Sequence, residues 1–115
     1  MINGFDRALI IKKEYLDKIL SGDKTWEMRS RKTKITGLVG LIESGSGLIV
    51  GQCFIHGSLE PIDQNTALNT IDKHCVEDVS LLEKWNHPWV ISEAVSYESP
   101  IPYNHPQGAV IWVSV

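Results

Sequence analysis

A chain of 115 residues with 43% hydrophobic content is long enough for one compact core and too short for two, so we predict a single domain over residues 1–115. The net charge of −3 argues by itself against a nucleic-acid-binding protein, but the charge is unevenly distributed. Residues 1–36 hold nine lysines and arginines against five acids, whereas the remainder holds two bases against nine acids. This asymmetry indicates a basic patch that could receive a phosphate or nucleotide, with a solvated basic face lacking any partner as the alternative.

The first elements of the chain are predicted to alternate between strand and helix. Residues 7–13 begin with a β-branched run typical of a buried strand, and lysines close its apolar part too soon for a signal peptide or a membrane span. We therefore expect a cytoplasmic protein with no membrane partner. Residues 14–21 place apolar side chains on one helical face, and Gly22 lies at the expected helix stop. Residues 24–30 can then form a second strand.

The rest of the chain predicts a hairpin, a helical region and two closing strands. The Ser-Gly-Ser-Gly sequence at 44–47 separates two apolar runs and is the clearest hairpin signal. Helical patterns follow at 67–74 and 75–85, and strands at 89–97 and 109–115 enclose a proline-rich loop at 98–108. This order predicts an α+β fold, namely a small mixed β-barrel or strongly curved sheet with helices packed at its openings.

The segment at 24–30 carries the most informative side chains. In a strand, Trp26 and Met28 share one face and are predicted to form the core side, whereas Thr25, Glu27 and Arg29 share the outward face. A carboxylate can accept hydrogen bonds from an exocyclic amino group of a base, while arginine can hold a phosphate or a polar carbonyl. Such a set could form a ligand site. An ordinary surface ion pair of little energetic value is the alternative interpretation.

The spacing Gly22-x-Lys24-x-x-Glu27-x-Arg29 resembles the motif of the ASCH family, and the closing segment at 100–115 is also similar to the end of such domains. The resemblance implies a PUA-like β-barrel with a cleft beside the first helix, a role in binding RNA or a modified nucleoside, and no cofactor. We place the ligand-binding residues on and around this motif. They are Lys24, Glu27 and Arg29 in the cleft, with Lys12, Arg31 and Lys34 as electrostatic support and His105 and Gln107 from the proline-rich loop.

Some ASCH proteins are small amidohydrolases that remove an acyl group from the N4 amine of acetylated cytidine with a lysine, a threonine and a glutamate. By position, the lysine matches Lys24, but Glu27 stands where the hydrolase threonine is expected, and Thr25 lies at another offset. The distal glutamate could be Glu77 or Glu83. Glu27 is expected to favour the charged form of Lys24 and so to oppose its action as a base.

Other side chains leave alternatives open. Trp26 and Trp112 lie within predicted strands and are expected in the core, whereas Trp85 and Trp89 could stack on a base or close an end of the barrel. The loop carrying His105 could be a cleft wall or a rigid turn. A protein-interaction module that uses the acidic surface is a third functional class.

Metal and phosphate-loop chemistry is not supported by the sequence. Cys53 and His56 are three apart on a predicted strand and therefore point to opposite faces, and the adjacent His74 and Cys75 would seldom both ligate a metal ion. The glycines at 45 and 47 belong to a hairpin and have no following lysine. We expect no metal site, no disulfide framework and two reduced, buried cysteines.

Overall fold

The computed structural model describes residues 3–115, which form one six-stranded sheet flanked by short helices. The first half has the predicted order of a strand, a helix, a strand and a hairpin. The elements are β1 (Arg7–Ile11), α1 (Lys13–Leu20), β2 (Trp26–Arg29), β3 (Gly37–Glu43), β4 (Leu48–Ser58), α2 (Gln64–Asn69), α3 (Ile71–His74), a 3₁₀ helix (Val79–Glu83), β5 (His87–Pro102) and β6 (Trp112–Ser114).

The sheet has the strand order β2-β5-β4-β3-β1-β6 and curls into a half-barrel. Only the β1–β3 pair is parallel among the described strands, while the other neighbouring pairs are antiparallel. The long strand β5 pairs with β2 through its first residues and with β4 along most of its length, with three register shifts against β4. Such irregularities bend a strand and increase its twist, and this curvature carries the edge strand β2 around toward β1. The predicted α+β class and barrel-like sheet are confirmed.

The main core lies between the sheet and α1. Leu9 and Ile11 from β1 pack with Leu16 and Ile19 from α1, and all four side chains are almost fully buried. The β-branched run therefore forms a buried strand as predicted, although the strand ends at Ile11 because the helix begins at Lys13. A separate cluster under α2 and the 3₁₀ helix contains Met28, Ala67, Val76 and Leu82.

The end of α1 fixes the position of the following turn. Gly22 adopts a positive φ of 88° just beyond the helix, where a side chain would be strained, and its amide donates to the carbonyl of Ile19 at 3.1 Å. The amide of Lys24 donates to the carbonyl of Lys18 at 3.0 Å. The predicted helix stop at Gly22 is confirmed, and the turn that follows it places Lys24 just before β2.

The region at 64–85 departs from the predicted pair of helices. α2 and α3 cover the first piece, but Cys75 takes a left-handed conformation with φ 57° and ends α3. The side chain of Asp78 then accepts a hydrogen bond from the amide of Ser80 and begins a 3₁₀ helix of five residues. The predicted helix at 75–85 was wrong in its start and type, because a left-handed residue and a new cap interrupt the pattern.

The carboxyl-terminal strands also differ in length from the prediction. β5 extends through Pro102 and so includes part of the predicted loop, whereas β6 covers only Trp112–Ser114. Among the described residues, no helix combines the length and apolar character needed to span a membrane.

Candidate functional site

A cavity of about 370 Å³ opens between the start of α1, the strand β2 and the 3₁₀ helix. This volume falls within the range of small-molecule pockets, roughly 300–1,000 Å³. Its floor is charged, its walls are mostly apolar and its rim carries both signs of charge. The lining residues are Ile10, Lys12, Glu14, Tyr15, Lys24, Glu27, Met28, Arg29, Ser44, Val76, Leu81, Leu82, Trp85 and Val110.

The floor of the cavity contains a buried carboxylate paired with a guanidinium. Glu27 Oε2 accepts hydrogen bonds from Arg29 Nη2 at 2.8 Å and Nε at 3.2 Å. The two residues are neighbours on one face of β2, as the period of a strand predicts. That face is not outward, however, because the Glu27 side chain is only 6% exposed. The predicted outward position of Glu27 was wrong, since the curled sheet encloses this face of its edge strand.

Arg29 connects two strands that lie far apart in the sheet order. Its Nη2 also donates to the carbonyl of Ile10 in β1 at 2.8 Å, and its guanidinium carbon lies 5.6 Å from the centre of the Trp89 ring. Ile10 lies near the end of β1, beyond the register in which β6 pairs with that strand. Arg29 therefore closes the gap between β2 and β1, and Glu27 holds the guanidinium in the required orientation.

Lys24 is a buried amine between three groups. Its Nζ donates to the carbonyl of His74, lies 3.6 Å from Glu27 Oε1 and sits 5.1 Å from the centre of the Tyr15 ring. Burial lowers the pKa of Lys24, and this outweighs the opposing attraction of Glu27. Glu27 therefore favours the charged form of Lys24, as the sequence predicts, but desolvation is the larger effect and sets the net direction of the pKa shift.

His74 lies behind the cavity floor, and its hydrogen bonds hold this part of the backbone in place. It is fully buried, its Nδ1 accepts from the amide of Val76 at 2.9 Å, and its Nε2 donates to the carbonyl of Ala67 at 2.7 Å. These two bonds require the neutral ring with its proton on Nε2. Because the carbonyl of the same residue receives Lys24, the segment around His74 joins the charged floor to the apolar wall at Val76.

The mouth of the cavity is apolar and unusually exposed. Trp85 and Leu81 are each 39% exposed and Val110 is 75% exposed, yet all three line the cavity. Trp89 behaves differently, because it is 4% exposed, stacks on Trp112 at 5.9 Å and donates from Nε1 to the carbonyl of Arg31. Of the two tryptophans considered for base stacking, Trp85 is accessible and Trp89 closes the barrel.

A model of the ASCH domain family matches residues 9–104 of the sequence, which includes the end of β1, the motif on β2 and all of β5. The chain belongs to the ASCH domain family. No curated protein matches the sequence at a significant level.

Solved structures of an ASCH protein from Zymomonas mobilis share the fold. The parent protein aligns with a TM-score of 0.70, covering 95% of this chain and 86% of its own. Two single-residue variants of it align with TM-scores of 0.71 and 0.70, covering 95% of this chain and 87% or 88% of theirs. Sequence identity is 13% in each case, so this likeness concerns the fold alone.

This ASCH domain brings four of the predicted binding residues together and separates the others. Lys24, Glu27 and Arg29 form the floor, and Lys12 lies at the rim. The other four predicted residues and the predicted hydrolase residue Thr25 are absent from the lining of the cavity among residues 3–115. These are Arg31, Lys34, His105, Gln107 and Thr25.

The proline-rich loop has its own internal contacts. His105 accepts at Nδ1 from the hydroxyl of Tyr103 at 2.7 Å and donates from Nε2 to the carbonyl of Ala109 at 2.9 Å. Both ring nitrogens are therefore occupied within the loop. This geometry fits the rigid-turn interpretation rather than the cleft wall, and Val110 is the residue of this region that reaches the cavity.

The two candidates for a distal glutamate lie outside the cavity. Glu77 lines a neighbouring depression that shares Tyr15 with the cavity, together with Asp78 and Cys75, and Glu83 lines neither. The acid that does reach the rim is Glu14, in the first turn of α1. Sequence reasoning assigned no role to this residue.

No three His, Cys, Asp or Glu side chains among residues 3–115 are grouped as metal ligands. Cys53 is buried while His56 is exposed, in keeping with opposite faces of β4. Burial raises the pKa of the Cys53 thiol to about 12, so it stays protonated and inert. Cys75 is half-buried, which differs from the predicted fully buried position.

Proposed function

We propose that this ASCH domain binds RNA through the cavity between α1, β2 and the 3₁₀ helix. The observation that carries the proposal is the joining of a hydrogen-bonding floor, formed by Lys24, Glu27 and Arg29, to an apolar mouth with an accessible tryptophan. Single-stranded RNA offers unpaired bases that can stack on aromatic rings and hydrogen-bond through their edges. Membership of the ASCH family supports the same conclusion.

Lys12 is the basic residue at the rim and suits a phosphate outside the cavity. Affinity for a short single-stranded RNA should fall as salt rises, because phosphate contacts release counterions. Lys12→Ala should weaken binding and reduce the slope of log K against log salt by about one phosphate contact. Fluorescence anisotropy across a salt series measures both quantities.

Lys13→Ala is the matched control for Lys12→Ala. The Lys13→Ala substitution removes the same charge one residue away. The Lys13 side chain, however, pairs with Asp17 and does not line the cavity. Equal losses in the two variants would show a general charge effect and contradict a contact at Lys12. Loss of binding in neither variant, with no dependence on salt, would contradict the proposed role of the rim.

Trp85 tests the apolar mouth separately. Trp85→Ala should weaken RNA binding by roughly ten-fold or more, since base stacking on an aromatic ring is worth about 1–3 kcal/mol. Leu68→Ala is a suitable control, because Leu68 is 57% exposed on α2 and lies outside the cavity lining. Equal RNA affinities in the two variants would remove Trp85 from the binding site.

Amidohydrolysis of an N4-acylated cytidine is a second candidate function, and the lowered pKa of Lys24 favours it. A neutral lysine amine at the cavity floor can take a proton from water while the water oxygen attacks the acyl carbon. The C–N bond then breaks, and the leaving amine takes the proton from Lys24, which yields a carboxylic acid and the free nucleoside. Thr25 lies outside the cavity lining, so the attacking group in this reaction is water rather than the Thr25 hydroxyl.

A panel of N-acylated nucleosides tests this second function. If Lys24 is the base, turnover should rise with pH through a pKa below the ordinary value of 10.5, because only the neutral amine accepts a proton. Lys24→Met keeps the apolar stem and should abolish turnover, whereas Lys18→Ala on the exposed side of α1 should not. Absence of product across the panel would leave binding as the function.

A further inference from the structure

The two oxygens of the buried Glu27 carboxylate are in different situations. Oε2 accepts both hydrogen bonds from Arg29, but Oε1 accepts no hydrogen bond from any of residues 3–115. The nearest cationic nitrogen to Oε1 is Lys24 Nζ at 3.6 Å, beyond hydrogen-bond distance. A buried acceptor without a donor is costly, and a charged one more so. Oε1 therefore has an open position for a donor.

The free oxygen faces the cavity rather than the packed interior. Glu27 lines the cavity, and no side-chain oxygen or nitrogen fully buried within the described chain lacks a partner. Oε1 makes no hydrogen bond with the described residues, and its ion-pair neighbour Lys24 Nζ lies 3.6 Å away, so this oxygen keeps contact with the open space. The carboxylate itself cannot turn away, because Arg29 holds Oε2 while donating to Ile10 on the opposite strand.

Arg29 has a donor nitrogen that the described residues do not use. Its Nε and Nη2 are used by Glu27 and Ile10, whereas Nη1 makes no hydrogen bond with the described residues. The guanidinium is planar and fixed on both sides, so the direction of Nη1 is fixed as well. The floor therefore combines one free acceptor and one free donor on neighbouring residues of the same strand face.

The side chains around the cavity entrance indicate which kind of ligand carries the donor for Glu27 Oε1. Trp85, Leu81 and Val110 surround the entrance with apolar surface. Lys12 is the one basic side chain at the rim, and Glu14 lies beside it. A phosphate would be poorly placed inside such an entrance, whereas a flat ring with a polar edge suits both the apolar mouth and the hydrogen-bonding floor.

We propose that the cavity takes one unstacked nucleobase, edge first, and that an N–H group of this base donates to Glu27 Oε1. An acceptor on the same edge of the base faces Arg29 Nη1, the ring packs on Trp85, and the sugar and phosphate remain outside near Lys12. This inference rests on the proposed RNA-binding function and specifies the part of the ligand that is recognised. Bases taken out of a stack are read in this way by stacking and by hydrogen bonds to their edges.

Paired nucleosides that differ only in the N–H donor test the proposal. The probes are cytidine with N4,N4-dimethylcytidine, adenosine with N6,N6-dimethyladenosine and uridine with 3-methyluridine, each measured by direct calorimetric titration and by competition against a labelled short RNA. In at least one pair, the parent nucleoside should compete about ten-fold better than its methylated form, because methylation leaves Oε1 without a donor. Ribose 5-phosphate, which has no base, should compete weakly.

Two variants assign the discrimination to Glu27. Glu27→Gln should remove the preference for the parent nucleoside, since the amide oxygen can still receive Arg29 while its NH₂ group turns a donor toward the ligand. Trp85→Ala should weaken both members of a pair and leave their ratio unchanged. Thermal unfolding of each variant shows whether the protein stays folded. If Glu27→Gln does not fold, the ratio of the affinities for the parent and methylated nucleosides can still be measured in Trp85→Ala.

The outcomes distinguish this inference from the function on which it rests. Equal competition by parent and methylated nucleosides, or stronger competition by ribose 5-phosphate, would overturn base insertion even when RNA binds. Discrimination between nucleosides without any affinity for RNA would overturn RNA binding and leave the base site in place. Failure of both RNA and nucleosides to bind would overturn both.

Discussion

Arg29→Ala should lower the free energy of unfolding by about 3 kcal/mol and remove RNA binding in the same variant. The change takes away both donors to Glu27 Oε2 and the donor to the Ile10 carbonyl. It leaves a carboxylate whose side chain is 6% exposed with only Lys24 nearby, and it opens the junction between β2 and β1. Urea denaturation measures the loss of stability, and anisotropy below the unfolding transition measures binding.

Arg31→Ala is the matched control, because Arg31 is exposed and its contact with Trp89 uses the backbone carbonyl. The free energy of unfolding of Arg31→Ala should differ from that of the unmodified protein by less than about 0.5 kcal/mol. Combining Arg29→Ala with Glu27→Ala should cost less than the sum of the single changes, since no uncompensated carboxylate then remains. A change in stability at Arg29 as small as that at Arg31 would contradict its role in closing the barrel.

The alternation on β2 could be predicted from the sequence, but the burial of its charged face could not. The strand period establishes that Glu27 and Arg29 share a face. It does not establish which face becomes the interior, because this depends on the curl of the whole sheet. The decisive partner of Arg29 is Ile10, which belongs to a strand at nearly the opposite end of the sheet order. Such a contact has no local signature.

Part of the cavity wall could be predicted from apolar residues spaced three apart in the sequence. The sequence favours one side of a helix for Val76, Val79, Leu82 and Trp85. In the structure Val76, Leu82 and Trp85 line the cavity, whereas Val79 packs against the cluster under α2, and the segment is a short 3₁₀ helix after a left-handed residue. A 3₁₀ helix has three residues per turn, so side chains three apart still lie on one side. The spacing therefore predicted the shared face of Val76, Leu82 and Trp85 correctly while the helix type was wrong.

The binding role assigned to Arg31, Lys34, His105 and Gln107 remains a prediction, but the cavity gives it no support. Charge counting identifies basic residues without locating them around the barrel. Arg31 and Lys34 follow β2 in a loop whose contacts run to Trp89 and Ser58, on the β4–β5 side of the sheet. Their contribution to RNA binding would have to come from phosphates beyond the base site.

His74 should make the protein less stable as the pH falls below neutral. Burial lowers the pKa of His74 from its usual 6.5, so the unfolded chain binds a proton at a higher pH than the folded protein does. The unfolding free energy is therefore undiminished above pH 6.5 and decreases as the pH falls from there through the lower pKa of the folded state. The charges of Lys24 and Asp72 also act on the pKa of His74, the first lowering it and the second raising it.

The hydrogen bonds explain why protonation is unfavourable at this position. A second ring proton would point from Nδ1 at the amide of Val76, which now donates to that nitrogen. The contact at Ala67 would survive, because Nε2 remains a donor. Acid should therefore first loosen the segment from His74 to Val76, which holds Lys24 on one side and the apolar wall on the other.

Urea denaturation between pH 7.5 and 5 tests this linkage. His74→Gln, which can accept at one end and donate at the other without gaining a proton, should flatten the pH dependence in this range. His56→Gln is the control, because His56 is exposed and contacts Ser92 at the surface, and it should retain the slope of the unmodified protein. Carboxylates such as Glu60 and Asp63, whose pKa values are lowered by their hydrogen bonds, act below about pH 4.5 and do not interfere. An unchanged slope in His74→Gln would exclude His74 as the group that couples acid to the cavity wall.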